Sequence, residues 1–195
     1  MQTLNTQPIA QLAIAIVIAA LLSIVTLILL YAGIPFFGPI NDVINALSGL
    51  LIAAFVWQFH AAFQTRFPGL AILLLVIAWA GVAAIVVNSL LVASGRMGWM
   101  TGGMYTAIAY GLIGEWLLAL QFSFGGQVLL PPGLVRLGVL TGIALLLGLA
   151  AGPLLASGVA FLKNPLAALS YLGAVAGWLL FPLWCWLLGQ RLLTS

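Results

Sequence analysis

The chain has 195 residues, of which 65% are hydrophobic and 4% are charged, with a formal net charge of +3. A soluble domain carries about 25% charged residues, so this composition excludes a water-covered surface, and a mean hydropathy of +1.31 makes the lipid bilayer the suitable solvent. The length allows one helical bundle and leaves no room for an additional soluble domain.

Six apolar segments are long enough to cross a bilayer, which takes roughly 20 mostly apolar residues. In chain order they are 9–32, 40–62, 69–93, 100–122, 134–157 and 166–189. Glycine or proline separates each from the next, where a helix cannot easily continue. A β-barrel would alternate apolar and polar residues, and the run Leu70–Val87 does not. The sequence therefore predicts an all-α, polytopic integral membrane protein: a bundle of six transmembrane helices with short loops, in one domain over residues 1–195.

The first segment lacks the marks of a cleaved signal peptide, because no Lys or Arg precedes it and it is longer than a signal-peptide core. We expect a retained spanning helix, so that six spans return both termini to one face, here called the near face. The basic residues at that face are Arg66, Arg136 and Arg191, and those at the opposite, far face are Arg96 and Lys163. The positive-inside rule makes the near face cytoplasmic. We expect a bacterial inner-membrane protein with both termini in the cytoplasm.

The second segment begins with four polar residues in the stretch GPINDVINALSG: Asn41, Asp42, Asn45 and Ser48. Asn41 and Asp42 suit the N-terminus of a helix, where a side-chain oxygen accepts a free amide hydrogen and the dipole favours negative charge. Asn45 and Ser48 lie deeper, so capping does not explain them. We expect them to hydrogen-bond a neighbouring helix, with a polar pocket at the far face as the alternative. In either case Asn45, Ser48 and Gly49 should face the interior of the bundle.

Small and polar residues recur at steps of four within the spans. The rows are Asn41, Asn45, Gly49 and Ala53; Ala80, Ala84 and Asn88; Gly103, Ala107, Gly111 and Glu115; and Ala144, Gly148, Gly152 and Ala156. Steps of four trace one inclined ridge on a helix surface. Small residues along a ridge let two helices approach closely in lipid, so these rows predict helix–helix contacts.

Glu115 is the acid predicted to lie deepest in the membrane. It precedes the predicted end of its span by seven residues, which places it about 10 Å below the near boundary. An acid at this depth indicates a proton relay, an ion ligand or a substrate contact, with a purely structural glutamate as the equal alternative. Arg136 lies near the same face on the next span, and consecutive spans are usually neighbours. We expect Glu115 and Arg136 to face each other as an ion pair, with an Arg136 that extends to the lipid headgroups as the alternative.

His60 lies toward the near end of the second span and is the third candidate ligand or proton site. A lone histidine can ligate haem or a pigment, but an interfacial histidine is the favoured interpretation. Six aromatic residues toward the span ends are predicted to be interfacial. They are Tyr31, Trp57, Trp99, Trp178, Trp184 and Trp186.

The inventory of reactive side chains argues against an enzyme. One His, one Cys and two acids are too few for a metal hydrolase, and the predicted topology puts Asp42 and Glu115 at different depths. Ser48 and His60 lie about 18 Å apart along one helix, too far for a Ser–His dyad. Cys185 is alone, which excludes an internal disulfide. The sequence therefore predicts no catalytic residues, no cofactor and no metal site.

A carrier or binding subunit for a small solute or lipophile is the favoured function. In span count and length only, the chain resembles the six-span substrate-binding subunits of vitamin transporters, which implies a membrane-embedded binding role. Short loops and glycine ridges suit the alternative, a structural or assembly subunit of a larger membrane complex. Expected partners are the lipid bilayer and either other membrane subunits or further copies of the chain; nucleic acid is not expected.

Overall fold

The computed structural model describes residues 6–125, 130–156 and 164–194, with side chains for all of these except 62, 65, 66 and 151–156. Its helices are α1 (Thr6–Tyr31), α2 (Phe37–Arg66), α3 (Pro68–Ala93), α4 (Trp99–Phe124), α5 (Pro132–Ala156) and α6 (Pro165–Leu193). All six are long and apolar enough to cross a membrane. The predicted all-helical membrane bundle is therefore confirmed. Lys163, the side chain of Arg66 and the packing of Gly152 and Ala156 lie outside the described residues.

The turns at the far face end their helices in the same way. Gly33 after α1 and Gly95 after α3 have φ angles of 92° and 72°, a left-handed conformation that glycine adopts without strain. The amide hydrogen of the next residue bonds back to a carbonyl of the last helical turn, at 3.2 Å after α1 and 2.9 Å after α3. This arrangement satisfies carbonyls that the helix end would leave free. At the near face Phe67 alone joins α2 to α3, since Pro68 can begin a helix without an amide hydrogen.

The helices form a closed ring, because each packs against its chain neighbours and α6 packs against α1. Gly189, near the end of α6, lies against Ile14 and Ala10, near the start of α1. The two ends of the described chain thus meet at the near face. The centre of the ring is filled by aromatic side chains whose ring centroids are 5.2–6.3 Å apart: Phe55, Phe59, Trp116, Phe181 and Trp184.

Glycine lets neighbouring helices touch through their backbones, as the ridges predict for α4 and α5. A Cβ atom added to Gly148 would lie 2.5 Å from the Ala107 carbonyl oxygen. A second close contact involves residues outside the predicted rows, because a Cβ atom added to Gly114 would lie 2.7 Å from the Gly142 carbonyl oxygen. Real Cβ atoms do not approach so closely, so these helices depend on glycine for their separation. The ridge does not extend to Gly103, which is exposed and has no atom within 4 Å of the added Cβ.

Trp184 is not an interfacial residue, contrary to the prediction. Its side chain is fully buried, and its indole N–H donates to the Leu134 carbonyl oxygen at 3.1 Å. The predicted span ends at residue 189, whereas α6 continues to Leu193. Trp184 is therefore on the inward side of α6, where it packs against Phe55 and Phe181.

Candidate functional site

A cluster of hydrogen-bonded polar side chains joins α1 to α2 in the far half of the bundle. The Ser23 hydroxyl lies 2.8 Å from Asn41 Oδ1 and 2.9 Å from Asn45 Oδ1. The Thr26 hydroxyl lies 3.1 Å from the same oxygen of Asn41. Ser23 precedes the end of α1 by eight residues, which places it about 12 Å from the far end of the helix. At that depth lipid offers no hydrogen bonds, so these groups must satisfy one another.

The cluster contains more hydrogen-bond acceptors than hydroxyl protons. Ser23 has a single proton for two amide oxygens, and Thr26 has a single proton for Asn41 and for carbonyls of its own helix at 2.9 and 3.0 Å. Each hydroxyl donates to one acceptor at a time, while an amide that turns over presents its NH2 group instead. The same four side chains can therefore adopt several hydrogen-bonding arrangements.

An open groove of about 440 Å³ lies at the far face beside this cluster. Its wall consists of Leu30, Tyr31, Gly38, Pro39, Asp42, Val92, Met97 and Trp99. The rings of Tyr31 and Trp99 meet edge to face with centroids 6.3 Å apart. Asp42 is half-buried and is the only acidic side chain in the groove wall. The groove thus combines apolar walls, two exposed aromatic rings and one carboxylate.

A second, much smaller cavity lies deeper in the bundle, with a volume of about 10 Å³. Its polar wall comprises Ser23, Asn45, Ser48 and Tyr110, and its apolar wall comprises Ile16, Ala20, Ile52, Trp178, Phe181 and Pro182. This volume is about that of one water-sized sphere. Because Ser23 and Asn45 belong both to the cavity wall and to the hydrogen-bonded cluster, polar groups extend without interruption from the α1–α2 interface to the cavity.

Asn41 and Asp42 do not cap α2, contrary to the favoured prediction. The helix begins at Phe37, and the residue before it makes no side-chain capping bond. Proline is tolerated in the first helical turn, so Pro39 is part of the helix and Asn41 lies inside it. Asn45 does bond a neighbouring helix, as predicted. Ser48 instead donates to the Ile44 carbonyl of its own helix at 3.0 Å and lines the inner cavity, so it neither makes the predicted bond to a neighbouring helix nor lines the groove at the far face.

Gly49 also has the predicted inward orientation. It is buried, and a Cβ atom added to it would lie 3.0 Å from the Val86 side chain and 3.2 Å from the Ile85 side chain of α3. The prediction that Asn45, Ser48 and Gly49 face the bundle interior is thus confirmed for their location. Their role stays a prediction.

Glu115 and Arg136 do not form the predicted ion pair. Gly138 packs against the Gln121 side chain and Gly142 packs against Leu118. This register of α4 against α5 places Arg136 about eight residues, or about 12 Å, nearer the membrane surface than Glu115. Arg136 is exposed, as in the alternative prediction, and Glu115 is half-buried. The sequence argument underestimated the difference in depth.

Glu115 lies on the outward side of α4, away from the ring centre. The least buried positions along the middle of this helix recur at helical spacing and include Ile108, Leu112, Glu115 and Ala119. Residues between them, such as Trp116, are buried. In the described part of the chain, no ion pair accompanies this carboxyl group. In a bilayer, this position would turn a half-buried acid toward the lipid near the middle of the span, where a charge is costly.

His60 is half-buried near the near face and stacks on Trp57, with ring centroids 5.5 Å apart and an interplanar angle of 24°. Its Nδ1 atom is buried without a hydrogen-bond partner. Within the described residues, no group of three His, Cys, Asp or Glu side chains could hold a metal ion together with it. The position of His60 near the near face is the one expected for an interfacial histidine.

Sequence reasoning missed the α1 side of the polar cluster. Ser23 and Thr26 are three residues apart, so they lie on the same side of an otherwise apolar helix. That pair was a usable signal. Tyr110 gave no comparable signal, because nothing in its sequence neighbourhood indicates that its hydroxyl lines a cavity with residues of α1, α2 and α6.

Comparison with protein-family models, curated proteins and solved structures finds no match for this chain.

Proposed function

We propose that the protein is a membrane-embedded binding protein or carrier for a small amphipathic cation that enters from the far face. The observation that carries the proposal is the groove in which Asp42 lies beside the exposed rings of Tyr31 and Trp99. Its volume of about 440 Å³ falls within the range of small-molecule sites, about 300–1,000 Å³.

The chemistry of the wall favours an organic cation over a neutral lipophile or a metal ion. A carboxylate in a partly apolar setting attracts a positive charge, and aromatic rings add a cation–π attraction of about 0.5–2 kcal/mol. Leu30, Val92 and Met97 offer contacts for alkyl substituents. Ca²⁺ and Mg²⁺ take six or more oxygen ligands, whereas the wall supplies one carboxylate.

A carrier also needs a route beyond the entry site. The polar cluster of α1 and α2 adjoins Asp42, since Asn41 is its neighbour in sequence and Asn45 lies one turn further along α2. Polar groups then continue to Ser48 and Tyr110. This line of polar side chains supports passage toward the membrane centre, while the packed aromatic core requires a conformational change for passage beyond it.

Orientation determines from which compartment the cation comes. Counting Arg66, Arg136 and Arg191 at the near face against Arg96 and Lys163 at the far face, we propose that the near face is cytoplasmic. The groove then opens to the exterior of a bacterial inner membrane.

Binding of a tetraalkylammonium series to the purified protein, measured by isothermal titration calorimetry, tests the groove directly. We expect Asp42→Asn to weaken binding of the best-fitting member roughly ten-fold, which corresponds to about 1.4 kcal/mol. Trp99→Leu should weaken it too, through loss of the cation–π contact. Glu115→Gln, which removes the other acid, is the matched control and should bind like the wild type. Equal binding by Asp42→Asn and wild type would refute the groove as the site.

An assembly subunit is the second candidate, and Glu115 is the observation that favours it. An acid on the outward side of α4 would be stabilised by a basic or polar residue of a neighbouring transmembrane chain. Mild-detergent purification should then recover additional chains with the wild type and fewer of them with Glu115→Leu. Recovery of the wild type alone, at the mass of a monomer or small oligomer, would contradict this alternative.

A further inference from the structure

We propose that Asn88 of α3 is a positioning residue of the groove, which holds Trp99 at the distance from Asp42 that decides the size of the cation accepted. The inference rests on the proposed function of the groove and adds to it a residue that does not line the groove. Asn88 is buried, with 5% of its surface exposed. It lies five residues before the end of α3, which is about 7.5 Å from the far end of that helix.

The Asn88 side chain ties α3 to α4 with both of its amide hydrogens. Its Nδ2 atom donates to the Gly102 carbonyl oxygen and to the Thr106 hydroxyl oxygen, each at 2.7 Å. The reversed amide would set two oxygen atoms against each other at Gly102, so the environment determines this orientation. Two short bonds from one planar group to successive turns of α4 hold only at this register, since a shift of α4 would bring one acceptor too close or take the other out of range. Asn88 therefore fixes the height of α4 relative to α3.

Stability alone does not account for an asparagine at this position. The Asn88 Oδ1 atom is buried and has no hydrogen-bond partner among the described residues, which is costly away from solvent. Hydrogen bonds between helices in lipid stabilise a bundle only modestly, so the two bonds gain little beyond this loss. A polar residue in an apolar interface can instead specify the register of two helices at a cost in stability. The unpaired oxygen thus favours a role of Asn88 in geometry.

Gly102 connects this hydrogen-bonded link to the wall of the groove. The Val92 side chain occupies the space that a Cβ atom on Gly102 would need, and Val92 lines the groove. Trp99 lies three residues before Gly102, in the first turn of α4, and also lines the groove. A slip of α4 along α3 would therefore move the Trp99 ring relative to the rest of the wall.

The groove lies between two pairs of helices, each joined internally by polar side chains. The α1–α2 pair contributes Asp42 and Tyr31 and is joined by its polar cluster. The α3–α4 pair contributes Trp99 and is joined by Asn88. Tyr31 and Trp99 meet across the boundary between the pairs, with ring centroids 6.3 Å apart. A cation bound to both Asp42 and Trp99 spans this boundary, and the cation–π attraction requires it to lie within about 6 Å of the ring centroid. The position of Trp99 therefore selects among cations of different size.

Fluorine NMR of the purified full chain, labelled with fluorotryptophan, tests the position of Trp99 without any ligand. The Trp99 resonance, identified by its loss in Trp99→Phe, should shift or broaden in Asn88→Leu and in Thr106→Val, which is isosteric but lacks the accepting hydroxyl. Thr106→Ser keeps the hydroxyl and should restore the wild-type resonance. Trp184, which is fully buried and donates to a carbonyl of α5, is the internal control and should not change.

Two results of this experiment would overturn the proposal. The first is an unchanged Trp99 resonance in both Asn88→Leu and Thr106→Val. The second is a change of equal size at Trp99 and at Trp184, because it would show that the two bonds support the whole fold rather than the groove.

The tetraalkylammonium series then tests the consequence for size selection. In Thr106→Val, we expect the ratio between the dissociation constants of the next larger member and the best-fitting member to fall roughly three-fold or more, while Thr106→Ser should keep the wild-type ratio. An unchanged ratio in Thr106→Val, together with a shifted Trp99 resonance, would overturn the role of Asn88 in specificity. Absence of binding by the wild type would refute the groove as the site and size selection with it. The fluorine spectra need no ligand, so they separate that result from a failure of Asn88 to position Trp99.

Discussion

At the scale of single residues, the two acids of this chain have opposite surroundings. Asp42 is half-buried in a groove at the far face, where aromatic and apolar side chains surround it. Glu115 lies on the outward side of α4, close to the middle of the membrane. An acid at a membrane surface can remain charged in contact with water, whereas an acid that faces lipid needs a partner or a proton. This difference assigns ligand binding to Asp42 and contact with another chain to Glu115 in the two functional proposals.

Charge removal at Glu115 and Arg136 should have independent effects on stability. The register of α4 and α5 separates the two residues by about 12 Å along the helix axes. Substitutions further apart than about 7–10 Å usually add to within about 0.3–0.5 kcal/mol. We therefore expect the double variant Glu115→Gln/Arg136→Gln to change the free energy of unfolding by the sum of the two single changes. Reversible unfolding in detergent micelles measures all three.

A double variant more stable than that sum predicts would reveal a direct interaction, since each single change would then leave one charge unpaired in a low-dielectric setting. The conservative pair Glu115→Asp and Arg136→Lys serves as the control. These two variants keep their charges, and their effects on the free energy of unfolding should also add if the residues are as far apart as the helix register indicates.

At the scale of helices, the sequence predicted the positions of the spans well but predicted the start of α2 less well. Span positions follow from long apolar runs between glycine and proline, which is a property of composition over about 20 residues. The start of α2 depends on whether Phe37, Gly38 and Pro39 belong to the helix, and composition does not decide that. Because they do belong to it, Asn41 became a partner for Ser23 rather than a cap.

For a similar reason, the sequence predicted only some of the residues of the candidate site. Steps of four identified the α2 residues that face inward, including Asn45 and Gly49, because they reflect the geometry of one helix. Which residue of α5 lies opposite Glu115 depends on the register between two helices, which no pattern within either helix records. Tyr110 and Ser48 come together across the bundle, so their proximity was equally inaccessible.

Two glycines of the ridges should respond differently to alanine. A Cβ atom on Gly148 would lie 2.5 Å from the Ala107 carbonyl oxygen, whereas one on Gly103 would meet nothing within 4 Å. Gly148→Ala should therefore destabilise the bundle by about 1–3 kcal/mol through overpacking. Gly103→Ala should be neutral or should stabilise it by up to about 1 kcal/mol, because alanine is the better helix former.

The stabilities of both variants and of the wild type are compared by thermal unfolding in the same detergent. The two changes add the same methyl group, so the difference between them isolates the helix–helix contact. Destabilisation by Gly103→Ala as large as that by Gly148→Ala would mean that glycine is needed in α4 for a reason other than close packing.

At the scale of the whole molecule, the closed ring of six helices decides what each face can do. An even number of spans puts Thr194 and the start of α1 at the near face and the α1–α2 and α3–α4 turns at the far face. The groove forms at that far face because the end of α1, the start of α2 and the α3–α4 turn converge there. If the groove binds ligand as proposed, the ligand would enter from the far face, and the orientation of the chain would determine the compartment from which it comes.

Single cysteines at opposite faces should react with a membrane-impermeant maleimide from opposite sides of the membrane. Ser94→Cys lies in the exposed turn after α3, and Thr194→Cys lies just beyond α6, where the side chain is also exposed. Both changes are nearly isosteric, and the native Cys185 is fully buried, so it should remain unlabelled in the wild-type control. With a cytoplasmic near face, intact cells should label Ser94→Cys at once and Thr194→Cys only after permeabilisation. The reverse pattern would invert the orientation and turn the groove toward the cytoplasm, while labelling of both cysteines from one side would be incompatible with six spans and with the ring itself.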